Sequence, residues 1–256
     1  MNYLKTLAVV VSFCLLGRPT QAEPAMKEFS TAHFVAQHES YYPPAGIANV
    51  LEELHGKLLM DLAPFAPWAQ SGTIRVSLYK SPDSYRQATG AAPWVGGHID
   101  VSQRKIFTFE SPDFQRTMSH ELAHLLFEDY FLSQNQQAPL WLNEGVASLM
   151  ESDYGGSDDL DDEDALLRYH PIPMDEFFRF NYHTSAPTGP EVLKWYAQAR
   201  SVTAFLMRRF SQGQFVTFCD SLRGGADTGT ALKRAYYLQI PDSATLERLW
   251  RDSLIR

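Results

Sequence analysis

Cysteine is nearly missing from this chain: 256 residues hold two, Cys14 and Cys219. Cys14 falls in an apolar stretch near the start, which leaves one thiol for the remainder and excludes an intramolecular disulfide there. A chain of this length buries enough surface to fold without one. Cys219 sits in "QFVTFCDSL" with Phe215, Phe218 and Leu222 at helical spacing. It reads as a buried apolar thiol, not a nucleophile. Positive charge is also scarce, with 22 Lys and Arg against 30 Asp and Glu, a net of −8. Such a surface repels phosphate backbones, which argues against nucleic acid as a partner. Long apolar runs are missing too. The run 7–16 falls short of the roughly 20 residues that span a bilayer, and no other segment is long and apolar enough. No internal repeat is present. The acidic run Asp158, Asp159, Asp161, Asp162, Glu163 and Asp164 lacks EF-hand spacing and its central glycine. It reads as a solvated loop, because like charges in a row repel one another, with calcium binding or a lid as alternatives.

What stands at the start is a targeting pattern. "MNYLKTLAVVVSFCLLGRPTQA" carries Lys5, then the apolar run, then Thr20-Gln21-Ala22 with small residues at both cleavage-site positions. Residues 1–22 are expected to be a signal peptide and the protein to be exported, to a periplasm or outside the cell, with no membrane span after cleavage. Removing 1–22 takes Lys5 and Arg18 and no acid, leaving 20 basic and 30 acidic residues, a net of −10.

The remainder, 23–256, reads as a single α+β domain of two lobes. In the first half "TAHFVAQHE" (31–39) predicts a strand. "AGIANVLEELHGKLLMDLA" (45–63) puts Ile47, Leu51, Leu54, Leu58 and Leu62 on one helical face. "TIRVSLY" (73–79) alternates as a half-buried strand does. "SPDSYRQATG" predicts a short helix capped by Ser81 with Pro82 at its first position. "GGHIDVSQRKIFTFE" (96–110) predicts a hairpin or a pair of edge strands. From Asp113 onward the pattern is helical, over 113–133, 140–152, 174–180, 190–210, 212–223, 228–237 and 242–254. The expected architecture is a small α/β lobe plus two helices bearing the motifs below (about 23–152), then a helical lobe (about 153–256), with the boundary near 151–166.

Within the first of those helices lies His120-Glu121-Leu122-Ala123-His124. Positions i and i+4 share a helical face, so both imidazoles can reach one ion. Glu121 is turned about 100° from His120, beside such an ion and placed to take a proton from water. A catalytic zinc site usually has three protein ligands and an open position. Glu144, in "PLWLNEGVASLME" (139–151), supplies a third. Nineteen residues separate it from His124, enough to end one helix, turn, and lay a second beside the first. Gly145 and Ala147 leave room for close approach to the first helix. Ser148, one turn after Glu144, serves either as a hydrogen-bond partner to a ligand or as helix packing. His33, His38, His55, His98 and His170 show no partner at ligand spacing and read as surface or core residues. The strand around Gly97-His98-Ile99-Asp100 is either a plain exposed hairpin or an edge able to pair with an extended peptide.

HELAH, 19 residues, then NEGVAS resembles the gluzincin zinc metallopeptidases, thermolysin-like enzymes among them. "WLNEGVASLME" is similar to the glutamate-bearing block of gluzincin aminopeptidases, although their Gly-x-Met-Glu-Asn segment is missing here. The overall plan resembles the small peptidase MA-like domains of exported bacterial proteins. The matching stretches are "HFVAQHE", "GGHID…RKIF", "PMDEFF" and "WYAQARSVTAFLMRRF", across most of 29–254. The resemblance implies a gluzincin fold and one Zn2+ held by His120, His124 and Glu144. It also implies Glu121 as general base, a peptide or protein substrate, and an endopeptidase-like activity. It places Tyr196 as the downstream residue that stabilises the developing oxyanion, with Tyr182 and His183 as rivals and helix packing as the alternative role for Tyr196. Two other functions remain open on the same residues. One is a module on this scaffold that binds peptide or protein without turnover; the other is a zinc hydrolase acting on a different amide.

Overall fold

The alternating "TIRVSLY" forms β3 (Ile74–Tyr79), and Ile74, Val76 and Leu78 are buried as the alternation predicts. A computed structural model describes residues 25–156, 167–180 and 189–255. β3 is the centre of a five-stranded sheet ordered β1-β2-β3-β5-β4. The other strands are β1 (Lys27–Ser30), β2 (Phe34–His38), β4 (Gly97–Asp100) and β5 (Lys105–Phe109). β2, β3 and β5 run parallel, and β1 and β4 close the two edges antiparallel. The register aligns Ala36, Val76 and Ile106 across the three inner strands, a continuous buried apolar row.

Two sequence expectations are refined here. The strand expected over 31–39 forms as β2, beginning only at Phe34. Thr31 N–H donates to the Phe34 carbonyl and Phe34 N–H donates to the Thr31 hydroxyl, a turn that splits β2 from the unforeseen β1. The pattern of 27–30 is exposed on both faces, so it lacks the alternation that marks a half-buried strand. The 96–110 hairpin forms, but only β4 is an edge. β5 is interior because Ile106 and Thr108 are buried between β3 and β4.

The helices are α1 (Ile47–Leu62), α2 (Pro82–Thr89), α3 (Phe114–Leu132), α4 (Leu140–Tyr154) and α5 (Met174–Arg179). After them come α6 (Pro190–Arg208), α7 (Gln212–Arg223), α8 (Thr228–Ala235) and α9 (Ser243–Ser253). α1 buries the five residues its periodicity selects. α2 begins as expected, with Pro82 in its first turn and Ser81 Oγ accepting from Ser84 N–H. Asp227 and Asp242 cap α8 and α9 in the same way, and Ser211 with Gln214 makes a full capping box on α7. The protein is therefore α+β, with a mixed sheet and a mainly helical C-terminal part.

The chain divides into two compact units. Among the described residues one holds 25–126 and 154–156, and the other holds 127–153, 167–180 and 189–255. The first contains the whole sheet. In the second, Trp141 packs with Phe177, Phe178 and Phe218, and Trp195 donates its indole N–H to the Phe177 carbonyl. Gln198 clamps the strand-like segment before α5 by accepting from Ile172 N–H and donating to the Ile172 carbonyl.

Candidate metal centre

α3 is buried on every side from Met118 to Phe127. An amphipathic helix hides one stripe; this one hides its polar residues too, and those include His120, Glu121 and His124. Burying imidazoles and a carboxylate is costly unless they are engaged. The i, i+4 spacing brings the His120 and His124 Nε2 atoms to 3.0 Å. Glu144, on the second turn of α4, is fully buried. One ligand atom from each of His120, His124 and Glu144 lies within 4.8 Å of the others.

The donor set can be tested against a metal by distance. Two nitrogens bound at about 2.0–2.1 Å in a tetrahedral site stand about 3.3 Å apart. The observed 3.0 Å needs a shift of only a few tenths of an ångström to match. Two imidazoles and one carboxylate, all withdrawn from water, fit a divalent ion.

Each ligand is set by local packing. On α4, Asn143 beside Glu144 donates its amide to Glu128, four residues beyond His124, and so fixes that helix at the turn carrying the carboxylate. Gly145 is where α4 meets α6. A Cβ there would lie 2.1 Å from Thr203 Oγ1 and 2.5 Å from the Ala199 carbonyl oxygen, so only glycine permits this approach. Tyr196, Ala199 and Thr203 recur at i, i+3 and i+7, one helical face. Tyr196 is thereby placed on the side of α6 that meets α4, and it is buried. Ser148 is half-buried on α4.

Glu121 lies against the edge strand. A Cβ on Gly97 would fall 2.8 Å from Glu121 Cγ and 3.1 Å from its Oε1. Gly97 therefore lets the backbone of β4 touch the side chain of Glu121. His98, the next residue, stacks on Phe107 and is hydrogen-bonded through Nδ1 to the Tyr85 hydroxyl at 2.7 Å. Burial pushes the His98 imidazole down to about 4, against the pull of Asp100, so it is neutral at neutral pH. Burial, then the nearby Glu121 carboxylate, drives the Tyr85 phenol up.

One expectation about the remaining histidines is corrected. His33 and His55 do have partners: with Glu52 they form a second group whose ligand atoms lie within 4.8 Å of one another. The signal was readable in part as Glu52-x-x-His55, an i, i+3 pair on α1, which a search for paired histidines passes over. His33 is brought to them by the β1–β2 turn, which no spacing rule gives. His38 is buried on β2 and His170 is exposed. Tyr182, His183, the acidic run 158–164 and residues 1–22 lie outside the described residues.

The fold and these residues define an α+β protein with a buried group of two histidines and a glutamate able to hold a metal ion. Compared with family models and with curated proteins, the chain matches none.

Proposed function

We propose that this chain is a zinc-dependent peptidase with the gluzincin fold, acting on peptide or protein outside the cytoplasm. The observation that carries the reading is the convergence of His120, His124 and Glu144, with Glu121 buried on the same turn of α3. A zinc ion held by these three residues would lower the pKa of water toward about 7 and polarise a carbonyl. Glu121 then takes the proton from water as the peptide carbonyl is attacked, and delivers it to the leaving amine. Tyr196 is assigned to hydrogen-bond the oxygen on which charge develops. β4 orients the substrate. Among the described residues it pairs with β5 on one side only, and an extended peptide added to its other edge would run beside Glu121, because Gly97 touches that side chain.

The test is Glu121→Gln. The amide keeps the shape but cannot accept the proton. Metal content, measured by mass spectrometry of the desalted protein, should stay that of the parent, while hydrolysis of an unfolded protein substrate falls by about 10²–10⁴-fold. A variant that cleaves at the parental rate would remove Glu121 from the reaction. Parental cleavage that survives a strong chelator would remove zinc as well.

A further inference from the structure

The second histidine–glutamate group stands in the sheet-bearing unit and takes no part in the chemistry above. Its members are His33 in the turn between β1 and β2, and Glu52 and His55 one turn apart on α1. The Glu52 carboxylate is oriented at both oxygens. Oε1 accepts from the Thr31 hydroxyl at 2.5 Å and from His33 N–H at 2.8 Å, and Oε2 lies 2.7 Å from His33 Nδ1. His55 is buried, and its Nε2 donates to the Ala69 carbonyl at 2.9 Å. That hydrogen bond fixes the tautomer and leaves the lone pair on Nδ1, the arrangement in which a backbone carbonyl orients a ligating histidine. The two imidazole rings stack at 4.1 Å, so His33 and His55 already share one space.

We propose that His33, Glu52 and His55 form a second divalent-metal site, of the class that takes zinc, nickel or copper. Two nitrogens and one oxygen suit those ions and do not suit calcium or magnesium, which favour all-oxygen sets. The carboxylate is ready for the role, since hydrogen bonds from Thr31 and His33 already orient both of its oxygens. The neutral imidazole is the ligand, so the hydrogen that His33 directs from Nδ1 to Oε2 passes to Nε2 as the ion takes the Nδ1 lone pair. Stacked rings do not converge on one point, so one ring must turn to meet an ion. His33 is the one that turns. It stands outside both strands and is 27% exposed, whereas His55 is locked by Ala69. That exposure also gives the ion a way in. The bound ion clips the start of β2 to the middle of α1, where loss of the ion costs stability but not catalysis.

The experiment is metal stoichiometry of the full chain, stripped with chelator and then titrated with Zn2+ by calorimetry, in the parent and in His33→Gln, His55→Gln and His124→Gln. Glutamine at 55 keeps an amide donor for the Ala69 carbonyl but removes the ligating nitrogen, and His33 is exposed enough for its replacement to fold. Circular dichroism of the stripped variants checks this. The parent should bind two ions. His33→Gln and His55→Gln should each lose one while keeping hydrolysis, with affinity at that site weakened about tenfold or more. His124→Gln should lose the other ion together with activity. If both His33→Gln and His55→Gln bind as many ions as the parent, the second site does not exist. A parent that binds one ion, lost in His55→Gln but retained in His124→Gln, would uphold this site and overturn the catalytic one.

Discussion

At the scale of single residues, the site depends as much on what is small as on what ligates. Gly97 is the sharpest case. Its backbone occupies the space beside Glu121, and a methyl group there would sit 2.8 Å from Cγ. Either the carboxylate or the edge strand has to move. Gly97→Ala is expected to keep the metal, since the nearest atoms a methyl there meets belong to Glu121 and Phe107, and to lower kcat by about 10²-fold, the cost of misplacing a reacting group by an ångström. Steady-state kinetics alongside metal analysis checks this; unchanged kcat would mean that β4 yields freely and does not position the base. The residue scale is also where the sequence was most and least readable. His120 and His124 were legible because i, i+4 is a rule of the helix, and Glu144 because its spacing after His124 lets a second helix lie beside the first. The contact between Gly97 and Glu121 was not. It joins β4 to α3, and nothing in a chain of letters states which glycine abuts which side chain.

At the scale of elements, helix ends and faces followed from local chemistry. Ser81, Asp227 and Asp242 accept from backbone N–H groups three residues on, and the Leu stripe of α1 is buried. β1 was invisible for a local reason too: an exposed strand has no alternation to show. The packing of α4 on α6 lies between these extremes. Gly145 and Ala147 suggested close approach to α3, but the backbone that Gly145 meets is that of α6, at Ala199 and Thr203. That contact gives a strong test. Gly145→Ala places a methyl at 2.1 Å from the Thr203 hydroxyl and 2.5 Å from a backbone carbonyl. Overpacking of this kind costs about 1–3 kcal/mol. Adding Thr203→Ala should recover only part of the loss, because the Ala199 carbonyl belongs to the helix itself and cannot rotate away. Urea midpoints of the two variants decide it; full recovery would make the side chain, not the backbone approach, the constraint.

For the molecule as a whole, acid is the informative stress, because its buried histidines and its paired carboxylates respond in different windows. Burial, reinforced by the charge of His33, lowers His55, against the Ala69 hydrogen bond and Glu52; burial lowers His98 to about 4. A histidine whose folded pKa lies below its unfolded value of about 6.5 leaves stability complete above that value. Stability is then lost as pH falls, because the unfolded chain takes the proton first. For His98 that loss should reach about 2 kcal/mol by pH 5 and level off near pH 4. Glu52, held down to about 2, acts later: its contribution persists above about 4.5 and disappears between there and about 2. Net charge works the other way. The chain carries 30 acids against 22 bases, so acid relieves self-repulsion, but little of that relief comes before carboxylates begin to protonate near their ordinary values of about 4. The interval from pH 7 to 5 therefore isolates the histidines. Guanidinium denaturation of chelator-stripped protein across that interval should show stability falling, and His98→Asn, which keeps a polar partner for Tyr85 but cannot be protonated, should flatten the fall by about 2 kcal/mol. A variant that declines as steeply as the parent would place the acid sensitivity at the other buried histidines, His55 against His33 among them.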